Sequence, residues 1–288
     1  MAPGGRRLMF KNLSPAAIGI TNVTLDETIE LALRHGFAGI DAPLDEISQL
    51  SDPQEASRKV GGAGLVWGSF GLPVDYSGDE QVWRDDLDRL PRFAGIARQI
   101  GCTRTSTVIM PASDELDYDA NMAFHVERLR PVANVLDAYG IGLGIEFIGP
   151  RTLRAGRRFA FVHDVDGILA LCDVIGTPNI GVLLDGWHWY TARATAPDIT
   201  QRMAGKVVVV HVSDAPADRD IDEQIDTDRA LPCATGVIDA KTFMRCLAQI
   251  NYDGPVSAEP FMPFDGMNAG EVAATVSLSM DKIMAMAQ

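Results

Sequence analysis

Short apolar runs alternate with longer amphipathic segments along the whole chain. The apolar runs are AAIGI (16–20), FAGIDAPL (37–44), GLVWGSFGLP (64–73), TRTSTVIMP (103–111), IGLGIEFIGP (141–150), NIGVLLDGWHWY (179–190), VVVVHVSDAP (207–216) and PVSAEPF (255–261). Each has the length and composition of a strand buried on both faces, although the first half of 103–111 is polar. Between them the period changes to that of a helix. Over 24–36, Thr24 and Glu27 form a capping-box pair and Gly36 supplies a stop. Trp83, Leu87, Leu90 and Phe93 recur at helical spacing within 79–100, and Leu129, Val132, Leu136 and Tyr139 within 119–139, ended by Gly140. Further helices are predicted around 164–176, 197–205 and 239–250, and a last one over 269–286 carries Val272, Val276, Met280 and Ile283 on one stripe.

Strands and helices in strict alternation, with no linker rich in Pro, Gly and Ser, predict one α/β domain over 1–288, a single (β/α)8 TIM barrel. The competing layout is an open doubly wound sheet. No glycine-rich dinucleotide fingerprint follows the first strand, which favours the barrel.

Composition narrows the functional classes. The 288 residues are 47% hydrophobic, enough for a sizeable core, and the formal net charge is −14. Such a chain repels polyanions, so no nucleic-acid partner is expected. Cys102, Cys172, Cys233 and Cys246 fall in no metal-ligand spacing and read as free thiols in a reducing compartment. The segment MAPGGRRLMFKNLSP lacks the apolar stretch of a signal peptide, and no apolar run reaches the roughly 18 residues that a membrane span needs. A cytoplasmic protein without a membrane partner is expected.

The chemistry lies in the second half. Glu146, Asp185, His211 and Glu259 each sit near the end of an apolar run, one per βα unit. In a barrel the C-terminal strand ends share one mouth, so four donors on consecutive strands can meet one ion. Each alone reads equally well as a strand-end acid or a core histidine. Together, glutamates flanked by Ile145 and Phe147, and by Ala258 and Pro260, are costly to bury without a cation. Three carboxylates and an imidazole suit one divalent ion, Mn²⁺ first, with Mg²⁺, Co²⁺ or Zn²⁺ as alternatives.

These motifs resemble the xylose-isomerase-like TIM-barrel superfamily of sugar and sugar-phosphate isomerases and epimerases: its Glu on strand five, Asp-x-x-His on strand six, His-x-x-Asp on strand seven and Glu on strand eight. The segment GVIDAKTFMRCLAQINYDGPVSAEPF (236–261) is similar to its last unit. The resemblance implies metal ligation by Glu146, Asp185, His211 and Glu259, proton transfer by Glu146 and Glu259 through a metal-stabilised enediolate, and a substrate hydroxyl held by His188. It implies a keto-sugar, sugar-phosphate or inosose-type polyol as substrate, with homo-oligomer formation left open.

The chain departs from the family at several points. LPCATG (231–236) stands where a Pro-Gly-x-Gly turn is usual, and Asp41 where a Glu ends the second strand. The family's arginine after strand seven has its nearest counterpart in Arg219, read either as a substrate clamp or as a solvated loop residue. Asp214 reads as a partner for His211 or an ordinary turn residue, and Trp67 and Phe70 as a sugar-stacking wall or plain packing. His35, His125 and His163 are assigned no catalytic role. Two long loops, 149–163 with four arginines and 213–236 rich in aspartate, are expected at the mouth as substrate walls or lids.

Three alternatives stand beside the isomerase. The same metal and proton abstraction could end in elimination, giving a dehydratase or lyase. An abasic-site endonuclease is disfavoured by the charge and by the lack of any histidine between His35 and His125. A subunit that needs a partner chain to close its pocket is the non-catalytic reading.

Overall fold

The computed structural model describes residues 9–288. Residues 1–8, part of the segment read against a leader peptide, lie outside the described residues. The strands are β1 (Phe10–Leu13), β2 (Gly39–Ile40), β3 (Val66–Trp67), β4 (Phe70–Gly71), β5 (Arg104–Ile109), β6 (Ala112–Ser113), β7 (Gly142–Phe147), β8 (Phe159–Ala160), β9 (Ile180–Asp185), β10 (Val207–Val212) and β11 (Pro255–Ala258). The main sheet runs β3-β2-β1-β11-β10-β9-β7-β5-β4, and its pairings are parallel. Its two end segments, β3 and β4, are halves of one stave joined through Gly68 and Ser69. The chain itself thus closes the sheet into a barrel of eight staves, ringed by helices. β6, just after β5, and β8, late in the loop that follows β7, form a separate antiparallel pair.

Most predicted helices fall where the apolar stripe places them: Glu80–Ile100, Tyr118–Ala138, Val165–Ile175, Ala240–Gln249 and Ala269–Ala285. Thr24 and Glu27 make the reciprocal capping box in front of Leu25–Arg34. Val272, Val276, Met280 and Ile283 are all buried, so the last helix seals the barrel with the predicted stripe.

Three elements differ. The first strand is Phe10–Leu13, not 16–20, where Ala16–Ile18 forms a 3-10 turn ended by Gly19 at φ +74°. FKNL escaped the hydrophobic pattern because its polar residues are buried and satisfied. Lys11 Nζ reaches Asp281 at 2.5 Å, Ser277 Oγ at 3.0 Å and the His35 carbonyl at 3.3 Å, and Asn12 bonds Asp41 and Ser257 inside the barrel. The run 179–190 is two elements, since β9 stops at Asp185 and Gly186–Thr191 is a short helix. The predicted helix 197–205 is reduced to a π-type turn, Asp198–Arg202. A helix at Gln54–Gly62 precedes β3 without the apolar stripe that would have announced it, burying only Ala56 and Val60. Among the described residues no helix is long and apolar enough to cross a membrane.

Close strand approach constrains Gly181 in β9. A Cβ there would lie 2.1 Å from the Lys206 carbonyl oxygen, which accepts the Val182 N–H at 2.8 Å. Gly181→Ala should therefore destabilise the protein by roughly 1–3 kcal/mol, the usual cost of overpacking. The check is the urea midpoint, and an unchanged midpoint would contradict this packing.

Candidate metal centre

Four consecutive staves deliver the four predicted donors to one end of the barrel. Glu146 is the penultimate residue of β7 and Asp185 the last of β9. His211 lies in β10 in register with Asp185, and Glu259 follows β11, its N–H bonded to the Val212 carbonyl at 3.0 Å. Each residue offers one ligating atom, and these atoms lie within 4.8 Å of one another. Asp185 is further fixed by serving as the N-cap of the short helix, where Oδ1 accepts the Trp187 N–H at 2.7 Å.

The donor set fits a divalent cation. Glu146 Oε1 and His211 Nδ1 are buried without a hydrogen-bond partner, although His211 Nδ1 lies 3.3 Å from Glu259 Oε1 at ion-pair range. Buried polar atoms are rarely left unpaired in native proteins, and a shared cation would satisfy both. Hard oxygen donors with one imidazole are compatible with Mn²⁺, Mg²⁺, Co²⁺ or Zn²⁺.

Electrostatics points the same way. Burial, reinforced by the Glu259 and Asp185 carboxylates, pushes Glu146 well above the usual carboxylate range. For His211, burial alone favours the neutral ring, yet Glu259, Glu146 and Asp185 outweigh it and raise the imidazole to about 10. Asp185 is fully buried, which acts to raise it, but the Arg229 guanidinium dominates the charged neighbours and the net shift is downward.

His188 projects from the short helix into the same space. Its Nε2 lies 3.9 Å from Glu146 Oε1, 4.0 Å from Asp185 Oδ2 and 3.5 Å from Asp226 Oδ1. Burial first, then the Arg229 charge, lowers it to about 4, so the ring is neutral at physiological pH. Its nitrogens face two donors, the Gly149 N–H at 3.2 Å on Nδ1 and Arg229 Nη2 at 3.1 Å on Nε2. A neutral imidazole accepts at one nitrogen only, so one contact is a hydrogen bond and the other is not. Gly149 must be glycine to come so close, because a Cβ would lie 2.5 Å from Thr191 Oγ1 and 2.6 Å from the His188 carbonyl oxygen.

Arg219, the candidate clamp, forms its ion pair with Asp228, and no hydrogen bond or ion pair joins it to the four donors. Arg229, missed by the sequence reading, lies among them instead, with Nη1 2.6 Å from Asp185 Oδ2 and 3.4 Å from Glu259 Oε2. The reason is the course of the 213–236 loop. Asp214 and Ala230 bridge in both directions at 2.8 Å, which brings residue 229 back to the strand end while 219 stays at the excursion. The Asp214 carboxylate organises this loop by accepting N–H bonds from Ala215, Thr235, Gly236 and Ile238 at 2.8–3.0 Å. It is thus a turn aspartate, and His211 is not among its hydrogen-bond partners. An arginine beside Asp226 and Asp228, two residues before LPCATG, was the available signal.

Other candidates resolve into structure. Asp41 Oδ1 accepts from Asn12 Nδ2, Ser69 N and Ser69 Oγ, bracing the first three staves. Phe70 is core, and Trp67 is half-buried against it. His125 stacks on Phe161 at 4.8 Å, His163 bonds the Phe161 carbonyl, and His35 caps a helix. Of the 149–163 arginines, Arg154 donates to the Gly149 carbonyl, Arg157 pairs with Asp114 and Arg158 stacks on Phe159. Thr152 Oγ1 bonds the Gln224 carbonyl at 2.7 Å, tying the two long loops together beside the site.

Residues 29–277 match the model of the xylose isomerase-like TIM barrel family. The chain belongs to that family. A xylose isomerase domain protein from Alicyclobacillus acidocaldarius superposes with a TM-score of 0.85 at 30% identity, covering 97% of this chain and 99% of that one. The IOLI protein, solved with a bound zinc atom, has the same fold, with a TM-score of 0.76 at 18% identity over 96% of this chain and 98% of its own. Inosose isomerase of Bacillus licheniformis is 22% identical over 185 residues, 64% of this chain and 63% of that protein. 3-Dehydroshikimate dehydratase of Pseudomonas putida is 24% identical over 249 residues, 85% of this chain but 37% of that protein. The chain thus spans less than two thirds of the length of these two relatives.

His211, raised to about 10, holds a proton near neutral pH that a cation must displace because ligands bind deprotonated, and the upward shift of Glu146 acts in the same direction. Metal uptake should release protons, and affinity should fall as pH is lowered. Titration calorimetry in buffers of different ionisation enthalpy measures this, and a buffer-independent heat would contradict it.

Proposed function

We propose that this chain is a divalent-metal-dependent isomerase or epimerase acting on a keto-sugar or an inosose-type polyol. The observation that carries the reading is the convergence of Glu146, Asp185, His211 and Glu259 within 4.8 Å at the barrel mouth, with Glu146 Oε1 and His211 Nδ1 left without hydrogen-bond partners. Those four residues would hold the ion. Family membership and similarity to inosose isomerase support the substrate class.

When bound, a divalent cation supplies Lewis acidity that draws electron density from a carbonyl and acidifies the neighbouring C–H. The chain's own residues do the rest. Glu146 and Glu259 come from staves separated by β9 and β10, so their carboxylates reach the substrate from different sides. One takes the proton from the carbon beside the carbonyl. Return of a proton by the other, on the opposite face, inverts that carbon, whereas return to the adjoining carbon moves the carbonyl. Burial beside two other carboxylates raises the proton affinity of Glu146, which suits it to accept the carbon-bound proton. His188 is neutral and beside Glu146, where its ring can orient a substrate hydroxyl rather than carry charge.

Similarity to 3-dehydroshikimate dehydratase favours a second reading, in which the same abstraction is followed by loss of a hydroxyl from the next carbon and release of water. The site's proton-transfer residues would be shared.

Metal-loaded protein incubated with inososes and ketohexoses in D₂O should incorporate deuterium beside the carbonyl. Glu146→Gln and Glu259→Gln should each slow exchange by about 10²–10⁴-fold, the usual contribution of a positioned acid or base. An unsaturated, dehydrated product would select the second reading. Absence of both exchange and elimination across the panel would contradict the proposal.

A further inference from the structure

Arg229 has no part in the proton transfers above, yet its side chain is only 1% exposed and touches more of the site than any other cation. A guanidinium has five N–H donors. Nη1 donates to Asp185 Oδ2 at 2.6 Å and faces both Oε2 and the carbonyl oxygen of Glu259 at 3.4 Å. Nη2 donates to Asp226 Oδ1 at 2.7 Å and faces His188 Nε2 at 3.1 Å, while Nε donates to the Asp226 carbonyl at 2.8 Å. The flat faces are covered too, since the rings of Trp187 and Phe261 lie 4.6 and 4.7 Å from Cζ.

We infer that Arg229 is a positioning residue that sets divalent-metal affinity by holding the Asp185 and Glu259 carboxylates in their ligating orientation, and is not a substrate clamp. The inference rests on the metal reading of the site given above. All of the guanidinium's edges already meet protein groups, so no free fork remains to grip a substrate. Asp185 is held at both oxygens, Oδ1 by the Trp187 N–H and Oδ2 by Arg229, and cannot rotate away.

The backbone shows what this placement costs. Phe261, two residues beyond Glu259, has φ +41°, a left-handed conformation that a bulky residue adopts only under strain of about 1–3 kcal/mol. That conformation accompanies the ring's position over the guanidinium, with the side chain still 44% exposed. A strained residue that contributes this little to the core is explained by the group it holds.

Two effects oppose each other. A fixed positive charge near a divalent cation lowers its affinity, whereas partners that orient ligands raise it by about 10–100-fold. Asp226, 2.7 Å from Nη2, forms a local ion pair that cancels most of the repulsion, so orientation prevails.

The test is Mn²⁺ binding to the full chain, followed by calorimetry and by the electron paramagnetic resonance line shape of the bound ion. Arg229→Met and Arg229→Lys should both bind Mn²⁺ about 10–100-fold more weakly with an altered line shape, because lysine keeps the charge but not the planar fork. Arg219→Met, outside the network, should bind as the parent does. Phe261→Gly relieves the strain while freeing one face of the guanidinium. It should weaken binding in the same direction, and it decides the matter if Arg229→Met fails to fold. Tighter binding in Arg229→Met with parental behaviour in Arg229→Lys would show that charge rules and would overturn the inference. So would parental affinity and line shape in Arg229→Met and Phe261→Gly. Failure of the parent protein to bind Mn²⁺ or Zn²⁺ at all would instead defeat the metal reading itself.

Discussion

Mutual repulsion among buried carboxylates is the constraint on which the rest of this structure depends. Glu146, Asp185 and Glu259 meet within 4.8 Å, and two unit charges at that distance repel by about 3 kcal/mol even at an effective dielectric near 20. The barrel cannot hold three such groups together without positive charge. The protein supplies part of it through Arg229 and through the raised His211 imidazole, whose proton a divalent ion would replace. The shifted ionisation of Glu146, Asp185, His211 and His188 follows from this crowding in a largely buried site.

The scaffold serves that constraint. Asp185 and His211 are paired directly across neighbouring staves, whereas Glu146 lies two residues back from the level of Asp185 and Glu259 two residues on from that of His211, so backbone pairing sets a fixed stagger of the four donors. The lower barrel carries no comparable chemistry among the described residues. Its buried polar groups, such as Lys11 and the Asn12–Asp41–Ser257 set, are bonded across staves and brace the ring. At the mouth the loops are built as firmly as the strands: Asp214 gathers four backbone N–H groups, and Thr152 ties one long loop to the other. Walls tied in this way suit the proposed reaction, in which protons would move over short distances between positioned carboxylates.

Much of this was legible in the chain, and the exceptions have two causes. Apolar periodicity located the helices that bury a continuous stripe and the strands whose runs are purely aliphatic, and each candidate donor stood near the end of such a run. It failed at β1, because Lys11 and Asn12 are buried through partners far along the chain, one of them 270 residues away. It misread 179–190 because Asp185 turns the chain from strand to helix, and no hydropathy signal marks that change within GWHWY. Spacing from the strand end selected Arg219 over Arg229, since distance along a loop says nothing of where the loop doubles back. For β1 and Arg229 a contact distant in sequence decided the outcome, whereas at 179–190 a local helix cap did.

Crystals soaked in Mn²⁺ and measured by anomalous diffraction address the central claim most directly. A single strong peak at the barrel mouth, contacted together by Glu146, Asp185, His211 and Glu259, is the predicted result. A peak elsewhere, or none at saturating Mn²⁺, would contradict the account.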